Sequence, residues 1–158
     1  MARGNLTPNP FPYGKGNNRV GIVVNRKGGA NKTMANLIRA LNQTRGTVLC
    51  ERLEDAGGLG GQSRGLLGRD GLEPGSGMLF ENGRFTPMMW MHMFFMRFAI
   101  DIVFLGRGGK VVKVNRNLKP WRVSSMVFGA RLALELPAGA AEASGTEPGD
   151  QIKFEPLG

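Results

Sequence analysis

Short apolar runs separated by turn residues dominate the chain after residue 46. Runs at residues 47–53, 78–80, 99–105, 110–114, 130–136 and 151–154 each predict a strand. Glycine, proline and aspartate separate these runs, and Gly106-Arg107-Gly108-Gly109 between two of them indicates a hairpin. The pattern predicts a mainly β fold, a compact β-sandwich or open barrel with one or two short helices. One helix is expected at residues 63–68, where the Ser63 hydroxyl can cap its first turn.

The first 41 residues follow a different pattern and predict a separate N-terminal extension. An apolar run at residues 20–24 predicts a short strand, and residues 34–41 have the spacing of a helix. We therefore divide the chain into an extension over residues 1–41 and a β-rich domain over residues 42–158. With 158 residues and no long uncharged apolar stretch, a second full domain and a membrane span are not expected.

Charge makes the extension distinctive. The net charge is +9, and residues 1–46 contain eight basic residues and no acidic one. Such an arm can make weak, salt-dependent contact with nucleic acid. The preferred alternative is a solvated extension, because few aromatic side chains accompany these bases.

A glycine-rich loop lies inside this basic arm. Lys27, Gly28 and Gly29 precede Lys32 and Thr33, between the predicted strand and helix. This order resembles the lysine-bearing phosphate loop of ParA-like partition ATPases. The remaining chain lacks the pattern of a large parallel sheet that such an ATPase needs. We therefore expect weak phosphate binding at most.

In the apolar run 91–105 only three residues can carry a charge, namely His92, Arg97 and Asp101. Burying a charge without a partner costs several kcal/mol, so each needs a structural or chemical reason. Strand alternation places Asp101 opposite the face that carries Phe98, Ile100, Ile102 and Phe104. Glu135 likewise lies opposite the face of Leu132, Leu134 and Leu136. If these second faces converge, the two carboxylates can meet Arg97 or His92 in a partly dry site.

Three interpretations of these four residues remain open. The preferred one is structural, either an ion pair or a carboxylate that accepts hydrogen bonds from backbone amides. The second is a pocket for a small anionic ligand, lined by His92, Arg97, Asp101 and Glu135. The third is a small enzyme with an acid-base site, although no nucleophile motif accompanies His92.

Two further features are candidates for binding. Trp121 and Arg122 can form an exposed surface for a partner, but a turn in which Trp121 closes one end of the fold is the preferred interpretation. Met88, His92 and Met96 could suggest copper, but along a strand they lie too far apart to share one ion, so core packing is preferred. No metal and no cofactor are predicted. The single cysteine, Cys50, is expected to be a core residue.

Several fragments together resemble the uncharacterised family known as domain of unknown function 192, over residues 42–154. The matching segments are Arg45-Gly46-Thr47-Val48-Leu49, Arg64-Gly65-Leu66-Leu67-Gly68-Arg69, Gly77-Met78-Leu79-Phe80, Met91-His92, Phe94-Phe95-Met96-Arg97-Phe98, Ile100-Asp101-Ile102-Val103-Phe104-Leu105, Leu118-Lys119-Pro120-Trp121-Arg122, Leu134-Glu135-Leu136-Pro137-Ala138-Gly139 and Gly149-Asp150. The resemblance implies a compact β-rich fold. It transfers no catalytic residue, since none is established for the family.

Taken together, these patterns favour an accessory module that binds a small anionic ligand or a protein partner. The alternatives are the acid-base enzyme described above and a weak nucleic-acid binder that uses the basic arm. The N-terminus has no secretory-signal pattern, so a cytoplasmic location is expected.

Overall fold

The computed structural model describes residues 37–56, 66–83 and 85–157. Within these ranges the chain forms nine strands and one short helix. Their bounds in chain order are β1 Leu37–Asn42, β2 Thr47–Asp55, β3 Ser76–Glu81, β4 Met88–Met89, β5 Ile100–Leu105, β6 Val111–Leu118, β7 Val127–Phe128, β8 Leu132–Pro137, α1 Ala140–Ala143 and β9 Ile152–Pro156. A 3-10 turn, Arg107–Gly109, joins β5 to β6.

Seven strands form one mixed sheet in the order β6-β5-β8-β3-β2-β1-β9. Neighbouring strands are antiparallel except for β2 and β3, which run parallel. Parallel neighbours need a longer connection than a hairpin turn, and residues 56–75 join β2 to β3, of which 57–65 lie outside the described ranges. The short strands β4 and β7 pair separately as a two-stranded ribbon.

Every strand of the large sheet contributes to one apolar cluster, which we call the inner core. Its buried members are Ile38, Ala40, Leu49, Cys50, Leu53, Leu79, Val103, Leu105, Val111, Leu132, Leu134, Leu136, Ala141 and Ile152. Since alternate residues of a strand point to the same face, one face of the whole sheet is turned inward. A sheet whose two edge strands share one core is curled, and the architecture is therefore an open barrel.

Hydrogen bonds draw the two edges of this barrel together at one end. The amide of Val111 donates to the carbonyl of Asp150 at 2.8 Å, and the amide of Gly149 donates to the carbonyl of Val111 at 2.8 Å. Helix α1 contacts β2, β5, β6 and β8 and places Ala141 in the inner core. The barrel is thus nearly closed beside α1.

A second apolar cluster, the outer core, lies on the opposite face of β3, β5 and β8. Its buried members are Leu66, Met78, Met89, Met93, Met96, Ile100, Ile102, Phe104, Val127, Ala130 and Ala133. The β4 and β7 ribbon and the segment before β5 cover this face. Flexible methionine side chains fill such irregular space well, in line with the core-packing interpretation of the methionine-rich run.

Gly77 marks a point where β3 and β8 approach closely. A Cβ atom at this position would lie 2.7 Å from Cδ2 of Leu136 and 2.9 Å from the carbonyl oxygen of Glu135. Cys50 packs beside it and is 1% exposed, as expected for a core residue. Burial raises the pKa of its thiol to about 11, so the reactive thiolate is scarce at neutral pH.

The mainly β architecture confirms the prediction from the sequence, and most strands lie within two residues of their expected bounds. Both helix predictions are wrong where the structure describes them. Residues 37–41 form β1, because hydrogen bonding to β2 and β9 on both sides outweighs local helical spacing. Residues 66–68 form a turn, and residues 63–65 lie outside the described ranges. Helix α1 was not predicted, since its four residues are too few for a periodic signal.

Candidate functional site

Asp101 is fully buried on β5, and three backbone amides surround its carboxylate. Oδ1 accepts a hydrogen bond from the amide of Asn117 at 2.8 Å. Oδ2 accepts from the amides of Gly139 at 3.0 Å and Ala141 at 2.9 Å, at the start of α1. Asp101 therefore ties β5 to β6 and α1. This arrangement matches the structural interpretation of a carboxylate bonded to backbone amides.

Glu135 lies on the other face of the sheet. The register between β5 and β8 pairs Asp101 with Leu136 and Ile102 with Glu135, and paired residues share a face. The convergence of Asp101 with Glu135 does not occur. Alternation within each strand is as expected, but the register between the strands turns the two carboxylates to opposite sides.

The surroundings of Glu135 are apolar. The residue is 6% exposed, and no described residue donates a hydrogen bond to its carboxylate. Loss of hydration raises the pKa of Glu135 from its ordinary value of 4.5 to about 7. A carboxyl group in this state exchanges its proton near neutral pH.

Arg97 and His92 are both exposed and lie away from these carboxylates. Nη1 of Arg97 pairs with Oδ1 of Asp70 at 2.6 Å, in an ion pair that is largely open to solvent. His92 stacks on Phe94, with ring centroids 5.1 Å apart. In the described ranges neither residue contacts Asp101 or Glu135. The four residues form no common site, and an individual role for each in ligand binding stays a prediction.

The structure brings five aromatic side chains together on the outside of the protein, and we call them the aromatic surface. They are Trp90, His92, Phe94, Phe95 and Trp121. Ring centroids of successive partners lie 6.2, 5.1, 6.4 and 4.9 Å apart, from Trp90 through His92 and Phe94 to Trp121 and then Phe95. Phe95 is 70% exposed and Trp121 is 60% exposed. Contiguous exposed apolar side chains of this kind are typical of interaction sites.

Buried methionines explain why these rings point outward. Met93 and Met96 are buried in the outer core, and the intervening aromatic residues are left on the surface. The amide of Met93 donates to the carbonyl of Arg122 at 2.8 Å, and the amide of Trp121 donates to the carbonyl of Met93 at 2.9 Å. These bonds fix the two loops of the aromatic surface against each other.

Phe95 and Trp121 adopt backbone conformations that bulky residues rarely occupy. Their φ angles are 61° and 64°, in the left-handed region. Only one other described residue besides glycine, Asn117, has a positive φ, and asparagine tolerates this region better. Strained residues of this kind are concentrated at binding and catalytic sites.

Basic residues accompany the aromatic surface. Lys119 and Arg122 flank Trp121 in sequence, and no described carboxylate forms an ion pair with either. Between residues 82 and 134 the sequence has one acidic residue, Asp101, which is fully buried. Trp121 and Arg122, the candidate partner surface from the sequence, are both exposed. Its role in binding a partner stays a prediction.

A polar network connects the end of β1 and the turn between β1 and β2 to the approach to β9. Nδ2 of Asn42 donates to Oδ2 of Asp150 at 2.9 Å, and Nε of Arg45 donates to the same oxygen at 3.0 Å. Loss of hydration alone would raise the pKa of Asp150, but these bonds and the amide of Glu147 outweigh it and lower the pKa. The network is self-contained, and we interpret it as architectural.

Several predictions fall on parts of the chain that the structure does not describe. The phosphate-loop residues Lys27, Gly28, Gly29, Lys32 and Thr33 lie outside the described ranges, as does most of the basic arm. Within those ranges, no group of three His, Cys, Asp or Glu side chains could hold a metal ion. None of the described helices has the length and apolarity needed to cross a membrane.

Two comparisons with known proteins bear on these observations. A UPF0127 protein of Thermococcus sibiricus is 38% identical over 65 residues, which are 41% of this chain and 42% of the relative. A UPF0127 protein of Pyrococcus horikoshii is 42% identical over 64 residues, 40% of this chain and 55% of the relative. The chain spans about half the length of the curated relatives that it matches.

Solved structures share the fold. A crystal structure from Sinorhizobium meliloti, described as a candidate transcription regulator, is 25% identical with a TM-score of 0.62 and covers 76% of this chain and 93% of its own. A protein of unknown function from Novosphingobium aromaticivorans is 23% identical with a TM-score of 0.61, over 79% and 91% of the two chains. The model of domain of unknown function 192, described as an uncharacterised ACR, matches residues 41–154. The chain therefore belongs to the family of domain of unknown function 192.

Proposed function

We propose that this protein is a binding module that holds an anionic partner on its aromatic surface. The observation that carries the proposal is the pair of exposed aromatic residues, Phe95 and Trp121, held in contact at positive φ. Each left-handed aromatic residue costs folding about 1–2 kcal/mol. Because both side chains are more than half exposed, their burial within the chain offsets little of this cost. Contact with a binding partner accounts for the two strained conformations.

The charge around these rings supports an anionic partner. Lys119 and Arg122 flank Trp121, and positions 82–134 have no exposed carboxylate. Asp70, from outside this segment, is paired with Arg97. Tryptophan and arginine are enriched among residues that dominate binding energy. We assign this role to the β-rich domain that the sequence places at residues 42–158.

An acid-base enzyme at the four polar residues has no comparable support. Asp101 and Glu135 lie on opposite faces of the sheet, and both oxygens of Asp101 already accept amide hydrogen bonds. We therefore propose no reaction. Weak nucleic-acid contact through residues 1–46 stays a separate prediction.

Binding to a panel of polymers tests the proposal. Full-length protein would be titrated with a labelled single-stranded oligonucleotide, heparin and poly-glutamate, with uncharged dextran as the neutral comparison. Trp121→Ala should weaken binding to at least one polyanion about fivefold or more, since it removes a contact worth about 1–3 kcal/mol. Phe85→Ala is the matched control, because Phe85 is 94% exposed and lies outside the aromatic surface. The proposal fails if no polyanion distinguishes the two variants.

A further inference from the structure

We propose that the anionic partner is a single-stranded nucleic acid, whose bases stack on the aromatic surface while its phosphates contact Lys119 and Arg122. This inference rests on the proposed function and names the partner class for the same surface. It concerns the folded domain and is independent of the basic arm.

The geometry of the rings favours nucleobases as the contacting groups. Four side chains of the aromatic surface are 40–70% exposed, namely Trp90, Phe94, Phe95 and Trp121. Successive rings meet at 19–63°, so their planes turn along the row and several faces stay open. Every nucleobase offers a π face, whatever the sequence, and unpaired bases can reach such rings. A duplex keeps its base faces stacked internally and has only edges to offer.

The distribution of charge favours phosphates beside those bases. Arg97 and Arg116 are paired with Asp70 and Glu147. Lys119 and Arg122 have no such partner among the described residues. Two available cations next to a row of rings suit a short strand that is held mainly by stacking. The carboxylates of an acidic peptide would pair with Lys119 and Arg122, but they would not stack on the rings of the aromatic surface.

This arrangement predicts a particular salt dependence. For single strands, the slope of log affinity against log salt is about −0.7 for each phosphate neutralised. Lys119 and Arg122 should together contribute about −1.4 to the slope. Of the eight basic residues at positions 1–46, Arg39 and Arg45 are paired with Glu51 and Asp150, and the other six would contribute up to about −4.2 if they alone held the strand. The two sources of binding are therefore separable in one protein.

Fluorescence anisotropy of the full chain with labelled DNA and RNA strands of about 10 nucleotides would test the inference. A duplex of the same sequence and heparin serve as competitors. Trp121→Ala and Phe95→Ala should each weaken single-strand binding about fivefold or more. Trp121→Phe should restore most of it, since a ring is retained. Phe85→Ala should stay within about twofold of the wild type.

The contribution of charge has its own matched pair of variants. Lys119→Ala combined with Arg122→Ala should reduce the magnitude of the slope of log affinity against log salt by about 1.4. Lys110→Ala combined with Lys153→Ala removes the same charge elsewhere on the domain and should leave binding nearly unchanged. Thermal melting monitors the folding of every variant.

The outcomes separate the inference from the proposed function. If heparin or poly-glutamate binds in a Trp121-dependent way and the oligonucleotides do not, the inference is overturned and the proposed function stands. Equal affinity for duplex and single strand also overturns it, as does oligonucleotide binding that Trp121→Ala leaves unchanged. If no polyanion depends on Trp121, both fail.

Discussion

Phe95 and Trp121 meet edge to face with ring centroids 4.9 Å apart, although they lie on different loops and both have positive φ. The amide of Trp121 donates a hydrogen bond to the carbonyl of the buried Met93, which lies two residues before Phe95. This hydrogen bond connects the pair to the outer core, since Met93 is one of its members. Both rings remain exposed to solvent.

Replacing Phe95 by glycine should separate stability from binding. Glycine enters the left-handed region without strain, so Phe95→Gly should gain up to about 1 kcal/mol in free energy of unfolding relative to Phe95→Ala. Both variants should lose binding on the aromatic surface. At the exposed Phe128 of β7, whose φ is not positive, Phe128→Gly should be no more stable than Phe128→Ala. Urea denaturation measures all four variants, and equal stability of the two Phe95 variants would show that no strain is present.

Asp101→Asn should destabilise the fold by about 2–4 kcal/mol. The amide nitrogen of asparagine would face at least one of the three backbone donors that now bond the carboxylate. The matched control is Asp70→Asn, which removes only an exposed ion pair and should cost less than about 1 kcal/mol. Chemical denaturation of the two variants checks the difference. Similar losses at both positions would contradict the structural role given to Asp101.

Glu135 should make the protein less stable as pH rises from about 4.5 to 7. In this range the folded state keeps a proton that the unfolded chain has released, because burial raises the folded pKa to about 7. Stability is therefore highest when Glu135 is protonated in both states. The decline amounts to about 3 kcal/mol. It is complete above the folded pKa.

The Glu135→Gln variant isolates this effect. Relative to the wild type, its free energy of unfolding should rise by about 2.5 kcal/mol from pH 5 to pH 8. The exposed Glu81 gives the comparison, and Glu81→Gln should track the wild type at both pH values. A difference between Glu135→Gln and wild type that does not vary with pH would rule out a buried, proton-holding carboxyl.

Gly77→Ala should cost about 1–3 kcal/mol, since the added methyl group would overlap Leu136 and the backbone of Glu135. Gly71→Ala is the matched control because a Cβ there meets nothing within 4 Å and its φ is not positive. Thermal unfolding of the two variants should show a loss at Gly77 and almost none at Gly71. Equal melting temperatures would mean that β3 and β8 can separate without cost.

Local patterning explains which parts of this fold could be predicted from sequence. Alternation of apolar residues is a property of a few neighbouring positions, and it correctly located β2, β5, β8 and β9. The pairing of Asp101 with Leu136 depends on register between separate strands, which alternation within one strand does not specify. The helical spacing of residues 37–41 likewise gave way to pairing with β2 and β9.

The aromatic surface was only partly visible in the sequence. Outward placement of His92 and Phe94 follows from inward methionines on either side, so that signal was present. Phe95 breaks the alternation through its positive φ, and no local rule assigns a left-handed conformation to phenylalanine. Trp121 joins the surface through hydrogen bonds to Met93, a contact between distant positions.

The pairing of β1 with β9 has a consequence for synthesis on the ribosome. Ile38 lies opposite Pro156 and Asn42 lies opposite Ile152, so β1 is completed on one side by a strand made more than a hundred residues later. Until that segment leaves the exit tunnel, the nascent domain exposes a row of unpaired peptide groups along β1. Contacts of such long sequence separation form slowly. A polypeptide that stalls before residue 152 is thus expected to self-associate through this open edge or to be captured by a chaperone.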